Sequence, residues 1–398
     1  MRKALSLLLL ALAAPSWAQY VIVTGSPPTP PGGTVNAASC SQADVVSAIG
    51  AASAGDTVLV PAGNCTWSGF IFNKAVTLQG VSRTSPTITM SGTTTVTLQS
   101  GRSGIRRMQF LTSGDAVKFQ VNGSWGDGPF VFGEADVYVN TGAASGNNFF
   151  RWGTPGGGVL YDLDINCSLD ESFFKHKDDQ NVSDWNQPST FGTDDTTGTY
   201  NVYVEDSTVT GCTNQGFDFD DSSRSVFRYN TLDASSWNSH GFATSAVGNR
   251  HFEIYNNNFG EDESVNQNWQ LWIRGGTGLI YDNVITDLNG GTWGDKGEIE
   301  LSNRSSGDGG GQYPGGCCDT YACIRQIGQD HNGTSQFTNP IKLWGNTGGF
   351  AVSLRATWGS CGGALSNFIQ QNRDWQFEAG PIGGYTAYVY PHPQRYDQ

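Results

Sequence analysis

Three short segments with one pattern decide the fold: FRYNTL at residues 227–232, EIYNNNF at 253–259 and LIYDNVI at 279–285. Aligning them places Asn230, Asn257 and Asn283 at one position, with spacings of 27 and 26 residues, and aligns a tyrosine beside each asparagine. A repeat of about 20 to 50 residues is typical of solenoids and propellers. No signature of a four-stranded propeller blade is visible, so we interpret each repeat as one coil of a parallel β-helix. The asparagines would then stack as a ladder, with their amides hydrogen-bonded along the axis.

The same pattern continues, less regularly, towards the N-terminus. Short β-type runs at 202–205, 160–161 and 131–132 resemble the repeat strands. Each coil would hold three short strands joined by turns rich in Gly, Asn, Asp and Ser, which are the residues that corners favour. The sequence therefore predicts an all-β solenoid over most of its length.

A single helix is expected ahead of the first coil. Ser41 predicts an N-cap, and Val45, Val46, Ile49 and Ala52 recur at helical spacing on one face. The runs TVLVPAG at 57–63 and AVTLQG at 75–80 then read as the first strands. The helix would cap the N-terminal end of the solenoid.

Composition excludes several classes of protein. Glycine accounts for 53 of 398 residues, roughly twice the average share, and only 15% of residues are charged, which is unlike a coiled coil. The formal net charge of −14 disfavours a nucleic-acid partner, because binding phosphates needs a cationic face. The 12% aromatic content supplies ample apolar surface and disfavours disorder.

The N-terminus reads as a signal for export. Arg2 and Lys3 precede a short apolar run at 4–13, and SWA at 16–18 is a small-x-small cleavage pattern, so the mature chain is expected to begin at Gln19. The apolar run is shorter than the roughly 20 residues that span a bilayer, and no later segment is long enough. We therefore expect a secreted or periplasmic protein with no membrane span. The predicted organisation is a signal peptide at 1–18, a Pro/Gly-rich linker at 19–36 and one β-helix domain at 37–398.

Eight cysteines in an exported chain favour structural disulfides. Cys40 and Cys65 flank the first helix and strand, whereas Cys167 and Cys212 flank a polar loop. The others are Cys317, Cys318, Cys323 and Cys361. Sequence alone leaves their pairing open, and the spacing does not suit a zinc site.

A resemblance to a known superfamily follows from these segments. The capping helix, AGDTVLVPAG at 54–63, VTLQG at 76–80 and the repeat resemble right-handed parallel β-helix proteins of the pectate-lyase superfamily. The stretch from NRDW at 372–375 to YPHP at 390–393 resembles the tail of secreted bacterial β-helix proteins of unassigned role. The resemblance implies a fold and a groove on one sheet, but not a reaction, because this superfamily hosts lyases, hydrolases, epimerases and adhesins.

Candidate functional side chains lie in segments just upstream of the repeat strands. In GFDFDD at 216–221, alternation places Asp218 and Asp220 on one face, and SHGFAT at 239–244, LWIR at 271–274 and GEIE at 297–300 follow one coil apart. The predicted catalytic residues are Asp218, Asp220, His240, Arg250 and Arg274. The predicted substrate-binding residues are Trp237, Trp269, Trp272, Trp293, Glu298 and Glu300. The predicted metal ligands, for calcium, are Asp218, Asp220 and Asp221, and no organic cofactor is indicated.

Two mechanisms suit these residue types, and the resemblance favours the first. A polysaccharide lyase removes the proton beside a uronate carboxylate with a base, here Arg250, Arg274 or His240, while a cation such as calcium neutralises the carboxylate. An inverting glycoside hydrolase instead needs two carboxyls about 6.5–9.5 Å apart, one of them protonated. The acidic cluster and the His-Gly pair resemble part of a polygalacturonase site, but no Asn-Thr-Asp or Arg-Ile-Lys is present.

Other interpretations stay open at this point. A sugar epimerase shares the proton abstraction, and a non-catalytic surface or adhesin module would explain the surplus of Asn, Ser, Thr and Gly. Arg224 and Arg250 are 26 residues apart and favour a structural, salt-bridged stack. The charge run KHKDD at 175–179 is typical of a solvated loop. We expect a monomer with a polysaccharide partner.

Overall fold

The computed structural model describes most of the chain after the proposed linker. The described residues are 32–92, 95–98, 102–114, 117–122, 130–140, 148–153, 157–167, 172–176, 185–188, 200–212, 216–220, 222–233, 235–239, 248–260, 270–285, 299–302, 325–355 and 369–395. The signal-peptide prediction at 1–18 lies outside them. Thr34–Asn36, within the range predicted as a linker, is instead the first strand, because it pairs with Thr57–Leu59.

Parallel strands stack in three ladders, and we call them the first, second and third sheets in the order in which a coil visits them. Consecutive coils add one strand to each ladder, which is the arrangement of a parallel β-helix. The first sheet contains Thr34–Asn36, Thr57–Leu59, Thr77–Gln79, Gly104–Arg106, Phe130–Asn140, Gly158–Cys167, Val202–Glu205, Arg224–Arg228, His251–Tyr255, Thr277–Tyr281, Ile341–Trp344 and Trp375–Phe377.

The second and third sheets complete each coil. The second sheet contains Asn64–Thr66, Thr87–Met90, Gln109–Ser113, the later parts of Phe130–Asn140 and Gly158–Cys167, and then Thr208–Thr210, Thr231–Asp233, Asn258–Phe259 and Val284–Ile285. The third sheet contains Ile71–Phe72, Val96–Leu98, Phe119–Val121, Asn148–Trp152, Ser172–His176, Phe217–Phe219, Trp237–Asn238, Leu271–Ile273, Ile299–Ser302 and Val352–Arg355. An antiparallel hairpin, Gln329–His331 with Gln336–Thr338, and a 3-10 turn, Pro393–Arg395, lie outside the ladders.

The helix caps the N-terminal end, as the sequence predicts. It spans Gln42–Ala51, and the Ser41 side chain accepts a hydrogen bond from the Asp44 amide at its start. Val45 and Ile49 are buried against the first coil, but Val46 is 40% exposed and does not belong to the packed face. The parallel β-helix with a capping helix is therefore confirmed.

The core fills the space between the three sheets. Each short strand turns alternate side chains inwards, so one file of apolar residues per sheet meets on the axis. Phenylalanine rings stack from coil to coil in this core, with Phe119 and Phe150 separated by 5.9 Å and Phe150 and Phe174 by 6.1 Å between ring centroids. Stacked rings of this kind keep neighbouring coils in register.

The corner between the first and second sheets is a single residue with positive φ in many coils. Left-handed backbone is uncommon outside glycine, and here it bends the chain from one sheet into the next within one residue. The corner residues are Arg107, Glu134, Asp162, Asp206, Tyr229, Asn256, Asp282 and Gly345. Tyr229 is one of them, whereas Tyr255 and Tyr281 pair with each other within the first sheet. The predicted alignment of all three tyrosines is therefore wrong, since Arg228 takes the position opposite Tyr255.

The asparagine ladder follows directly after this corner and is confirmed. The amide nitrogens of Asn230 and Asn257 each donate to the side-chain oxygen of the next asparagine, at 3.0 Å. Asn283 donates in the same way to Asn346 at 2.9 Å, which extends the ladder by one coil. The side-chain oxygens of Asn257, Asn283 and Asn346 also accept the backbone N–H of the asparagine one coil earlier. The ladder therefore satisfies buried backbone groups at the corner.

Two disulfides join neighbouring parts of the solenoid. Cys40 bonds to Cys65, which fixes the capping helix to the first coil, and Cys167 bonds to Cys212 across one coil of the second sheet. The other four cysteines lie outside the described residues. Within the described part of the chain, no helix is long and apolar enough to cross a membrane.

The C-terminal tail, residues 382–395, covers the outer face of the first sheet. It packs on a second apolar cluster there, which includes Tyr203, Tyr255 and Trp344. Arg228 donates to the backbone oxygens of Tyr388 and Val389 at 2.8 and 2.7 Å. The tail therefore closes this face, whereas the outer face of the third sheet carries a row of polar side chains.

Candidate active site on the third sheet

One row of outward positions runs along the third sheet and contains several of the predicted site residues. Strand register places one residue from each coil in this row, with successive strands about 4.8 Å apart. The row reads Thr97, Gln120, Arg151, Lys175, Asp218, Asn238, Trp272, Glu300 and Ser353. Asp218, Asn238 and Trp272 are almost fully buried in this row, whereas the Lys175 side chain is 24% exposed.

Asp218 and Asp220 are held together by alternation along one strand. Phe217 and Phe219 point into the core and are fully buried, so the intervening Asp218 points out of the opposite face of the sheet, as does Asp220 two residues later. The side chains of the two aspartates are only 2% and 6% exposed. Two buried carboxylates need a compensating cation, because burying an unpaired charge is costly.

Lys175 is that cation, and it comes from the preceding coil. It is the register partner of Asp218, and its Nζ lies 2.6 Å from Asp218 Oδ2 and 2.9 Å from Asp220 Oδ2. Burial lowers the pKa of Lys175, but the two carboxylates outweigh burial and raise this pKa above its ordinary value. The ammonium is therefore charged throughout the physiological range, while its side chain stays 24% exposed at the surface of the site.

Arg274 and Trp272 form a stacked pair one coil beyond Asn238. The Arg274 guanidinium lies over the Trp272 ring, with 3.5 Å between Cζ and the ring centroid, and both residues are almost fully buried. The backbone N–H of Arg274 donates to Ser239 Oγ at 2.8 Å, which fixes the end of its strand. Trp272 is therefore covered by its own arginine and does not offer the open ring that sugar stacking requires.

Arg250 does not lie in this row, contrary to its predicted catalytic role. Its side chain is fully buried at the corner before the first sheet, where it pairs with Asp330 and lies 4.8 Å from the Trp185 ring. It also donates to the Gln187 carbonyl, as Arg224 does. Both arginines therefore bind the segment 185–188 to the solenoid, but they do not stack on each other as predicted, because His251 takes the position opposite Arg224.

Of the remaining predicted residues, the structure describes Trp237 and Glu300. Trp237 belongs to the apolar core, stacked on Phe219 at 5.5 Å, so its ring is not available to a substrate. Glu300 lies in the central row by the register of its strand. The predicted residues that lie outside the described part of the chain are Asp221, His240, Trp269, Trp293 and Glu298.

Two residues of the row were missed from sequence, Lys175 and Arg151. The run at 175–179 reads as a solvated loop, yet Lys175 lies within Ser172–His176, a strand of the third sheet. The signal that identifies it is the pair Phe173-Phe174 before it, since Phe174 aligns with Phe217 and thereby places Lys175 opposite Asp218. Arg151 carries the same signal, because Phe150 aligns with Phe174.

Of the three predicted calcium ligands, the structure describes Asp218 and Asp220, and their surroundings are a poor fit to calcium. Calcium takes six to eight oxygen ligands, and the described residues contain no group of three or more His, Cys, Asp or Glu side chains placed to hold a metal. Asp218 and Asp220 each direct an oxygen at the Lys175 ammonium instead. A calcium ion on these oxygens would have to displace a fixed positive charge.

Comparisons with known proteins give a distant likeness in structure. No protein-family model matches the chain, and no curated protein matches it. An alginate lyase from Paenibacillus sp. strain FPU-7 aligns with a TM-score of 0.42 and 9% identity over 90% of this chain and 98% of its own. The A-module of a mannuronan C-5 epimerase from Azotobacter vinelandii aligns at 0.42 and 13% identity, over 87% of this chain and 92% of its own.

A third solved structure is similar to the same degree. A polysaccharide lyase of family PL6 from Pseudopedobacter saltans aligns with a TM-score of 0.39 and 12% identity, over 90% of this chain and 92% of its own. The parallel β-helix of the present chain stands on its own strand ladders.

Proposed function

We propose that this chain is an exported polysaccharide lyase that cleaves an acidic glycan by β-elimination on the outer face of the third sheet. The observation that carries the proposal is Lys175, a partly exposed ammonium held at 2.6 and 2.9 Å by two buried carboxylates in the centre of the polar row. Such a cation is fixed before a ligand arrives, so it can stabilise negative charge without reorganisation.

β-Elimination makes a specific demand on such a site. A base removes the proton from the carbon beside the uronate carboxylate, and the electron pair forms a carbon–carbon double bond as the glycosidic C–O bond breaks. The proton is hard to remove while the carboxylate keeps its charge, so a cation must stabilise the extra negative charge that develops there. The departing oxygen then takes up a proton, which balances the reaction.

Lys175 is the residue to which we assign charge stabilisation. The third sheet carries the cationic side chains of Arg151, Lys175 and Arg274 together with the acidic residues Asp218, Asp220 and Glu300. Arg274 is buried, so Arg151 and Lys175 are the cations of this row that an anionic ligand can contact, although the whole chain carries a formal charge of −14. Screening over about 8 Å at physiological salt weakens the repulsion from distant acids more than the attraction of contacting cations.

His240 is the residue to which we assign proton abstraction. Of the three bases considered from sequence, Arg250 and Arg274 are buried and hold structural partners. In the sequence, His240 is two residues after Asn238, where a strand of the third sheet ends. A neutral imidazole is a suitable base near pH 7, and the imidazolium that it becomes can return the proton to the departing oxygen.

The pairing of Asp218 and Asp220 with one ammonium argues against an inverting hydrolase. That mechanism needs one protonated carboxyl as the general acid. An ammonium within hydrogen-bonding distance of both carboxylates favours their ionised forms. The two aspartates are therefore suited to holding Lys175, and no step of the proposed reaction passes through a metal ion.

Export is part of the proposal. The two described disulfides, Cys40–Cys65 and Cys167–Cys212, persist in oxidising compartments. The N-terminal sequence has the pattern of a cleavable signal, with Gln19 as the first mature residue. A polymer too large to enter a cell is a substrate that suits an enzyme outside it.

The direct test is incubation of the purified mature chain with alginate, pectate and neutral glycans. We expect an acidic glycan to yield shortened products whose ultraviolet absorbance reports the new double bond. The variants His240→Asn and Lys175→Met should each lower the rate at which this signal develops by about 10²-fold or more. Reducing ends without the absorbance would instead mean hydrolysis, and altered sugar composition without shortening would mean epimerisation.

A non-catalytic binding module is the outcome that would overturn the proposal as a whole. It would be indicated by retention of the chain on an immobilised acidic glycan with no product from any substrate. Glycan retention by His240→Asn together with loss of product would instead support catalysis at this sheet.

A further inference from the structure

We infer that Lys175 occupies the place of a metal ion, so that the third-sheet site works with a built-in cation and binds no calcium at Asp218 and Asp220. The catalytic consequence of this inference rests on the proposed function. The central test measures metal binding without substrate, so its result does not depend on lyase activity.

The two carboxylates of the site require a positive charge beside them. Asp218 and Asp220 are two residues apart on one face, and their side chains are 2% and 6% exposed. Paired, buried carboxylates on one strand have the donor chemistry that calcium prefers. Without a cation they would also repel each other, because like charges at close range disfavour ionisation. The pair therefore requires a cation of some kind.

Lys175 supplies the cation between the two carboxylates. The Lys175 ammonium lies 2.6 Å from Asp218 and 2.9 Å from Asp220, and bridges one oxygen of each. Both distances are those of strong, charge-assisted hydrogen bonds. A calcium ion would need to lie about 2.3–2.6 Å from the same oxygens. The ammonium and the metal therefore compete for one position.

The position of Lys175 beside the two carboxylates is fixed by the fold. Lys175 is fixed by its backbone, since its strand pairs with Phe217–Phe219 in register and Phe174 packs on Phe219 at 5.1 Å. A metal ion that displaced the ammonium would leave a positive charge beside its own two charges, in a region of low exposure where repulsion is strong. Because Lys175 is part of the chain, its ammonium is available to the two carboxylates at every concentration of free calcium.

The Lys175 ammonium has one N–H donor that the two carboxylates do not use, and this donor has a catalytic consequence. An ammonium has three donors, and two of them are directed at the carboxylates. With 24% of the side chain exposed, the third can meet the carboxylate of a bound uronate. Lys175 would thus neutralise the substrate as a metal would, and chelators should not inhibit the reaction.

The experiment compares the wild type with Lys175→Met, Lys175→Arg and the double variant Lys175→Met/Asp218→Asn. Met keeps the length of the side chain without its charge, Arg keeps the charge, and the double variant removes a ligand from the vacated site. Thermal unfolding is measured in excess EDTA and again at about 5 mM calcium, which is above the ~10⁻⁴–10⁻³ M dissociation constants of extracellular calcium modules. Calcium binding to the metal-free proteins is measured separately by calorimetric titration.

We expect calcium to raise the Tm of Lys175→Met by about 2 °C or more, with a matching new binding event in the titration. The wild type and Lys175→Arg should show no calcium effect beyond that of the double variant, which reports calcium bound elsewhere on this acidic chain. That pattern supports a fixed cation in place of a metal.

Two results would overturn the inference. One is a calcium-binding event in the wild type that disappears in an Asp218→Asn single variant, because the metal and the lysine would then share the site. The other is a folded Lys175→Met variant with no gain of calcium binding. If Lys175→Met does not fold, Lys175→Gln replaces it, and the comparison of wild type with Asp218→Asn still decides the matter. Loss of lyase activity in every arm bears on the proposed function and leaves the binding result unaffected.

Discussion

At the scale of single residues, Lys175 shows how a neighbouring coil changes the role of a side chain. In the sequence it opens a charge run, but in the fold it lies opposite Asp218 and bridges two buried carboxylates. Its charge is therefore fixed, while the side chain remains partly exposed. Arg151, one coil earlier in the same row, adds a second cation along the same line.

Replacing Lys175 tests its proposed role in catalysis. We expect Lys175→Met to lower kcat/KM on the acidic substrate by about 10²-fold or more, because a preorganised charge beside the developing anion is lost. Steady-state kinetics on the cleaved glycan measure the effect. Lys342→Met is the matched control, since Lys342 lies on the first sheet and should leave kinetics unchanged. Equal activity in Lys175→Met and the wild type would remove Lys175 from the mechanism.

A second buried residue, His392, links the tail to pH. Its ring packs on Tyr203 at 4.3 Å between centroids, and its Nδ1 accepts the backbone N–H of Gln394, which requires an unprotonated nitrogen. Burial, together with the charges of Arg228 and Arg395, lowers the pKa of His392 from 6.5 to about 3. The folded chain therefore favours the neutral ring.

This lowered pKa predicts a loss of stability in mild acid. Below pH 6.5 the unfolded chain binds a proton that the folded chain refuses until about pH 3, so stability falls as the pH drops through that window. At pH 5 the contribution is about 2 kcal/mol. Denaturant unfolding at pH 7 and pH 5 measures it. His392→Asn keeps an acceptor without the titration and should show a decline smaller by this amount, whereas an identical decline would contradict the assignment.

At the scale of elements, the asparagine ladder stabilises the corner between the first and second sheets. Asn257 donates to Asn283 Oδ1 and to the Phe227 carbonyl, and its oxygen accepts the Asn230 backbone N–H and amide. Each of these groups is buried between coils, where water cannot replace the lost partner. The ladder thus provides hydrogen bonds that the one-residue corner leaves open.

Removing one rung should therefore be costly. We expect Asn257→Ala to lower the free energy of unfolding by about 3 kcal/mol, because several buried backbone groups lose their partners at once. Chemical denaturation monitored by tryptophan fluorescence measures the change. Asn258→Ala is the control: the neighbouring side chain is exposed, and its loss should change the free energy by less than about 0.5 kcal/mol. Similar losses in the two variants would show that the ladder adds little.

At the scale of the whole molecule, the C-terminal tail decides which face is open. The outer face of the first sheet contains Arg228 and Glu205, whose side chains are both 0% exposed and lie 3.0 Å apart. The tail completes this pair, since Arg395 contacts Glu205 and the His392 backbone N–H donates to it. The tail therefore removes the outer face of the first sheet from contact with a ligand.

Truncation after residue 380 should expose the covered face. We expect the Tm to fall by about 5 °C or more, and a hydrophobic dye to bind, because the apolar cluster around Tyr203 and Tyr255 and the ion pair both lose their cover. Calorimetry and dye fluorescence measure the two effects. Truncation after Arg395 keeps every described tail contact and should match the full chain. A full-length Tm in the longer truncation would show that the tail adds no stability.

The repeat pattern, the capping helix and the ladder could be predicted because each rests on local chemistry. Asn230, Asn257 and Asn283 recur at the coil period, and Ser41 has the side chain that caps a helix. The candidate site was only partly predictable. Asp218 and Asp220 follow from alternation along one strand, but Lys175 lies 43 residues before Asp218, across a long insertion that breaks the period.

The sequence by itself determined that the chain is an acidic, glycine-rich parallel β-helix, because the order of apolar, turn and asparagine residues specifies a coil without reference to distant residues. Only the tertiary structure decided what each charged residue does. Arg250 and Arg228 became buried structural cations, whereas Lys175 became the partly exposed cation of the site. The physical reason is that the role of a charged side chain depends on its partners and its exposure. Both are set by the register between coils and by the segments that cover each face.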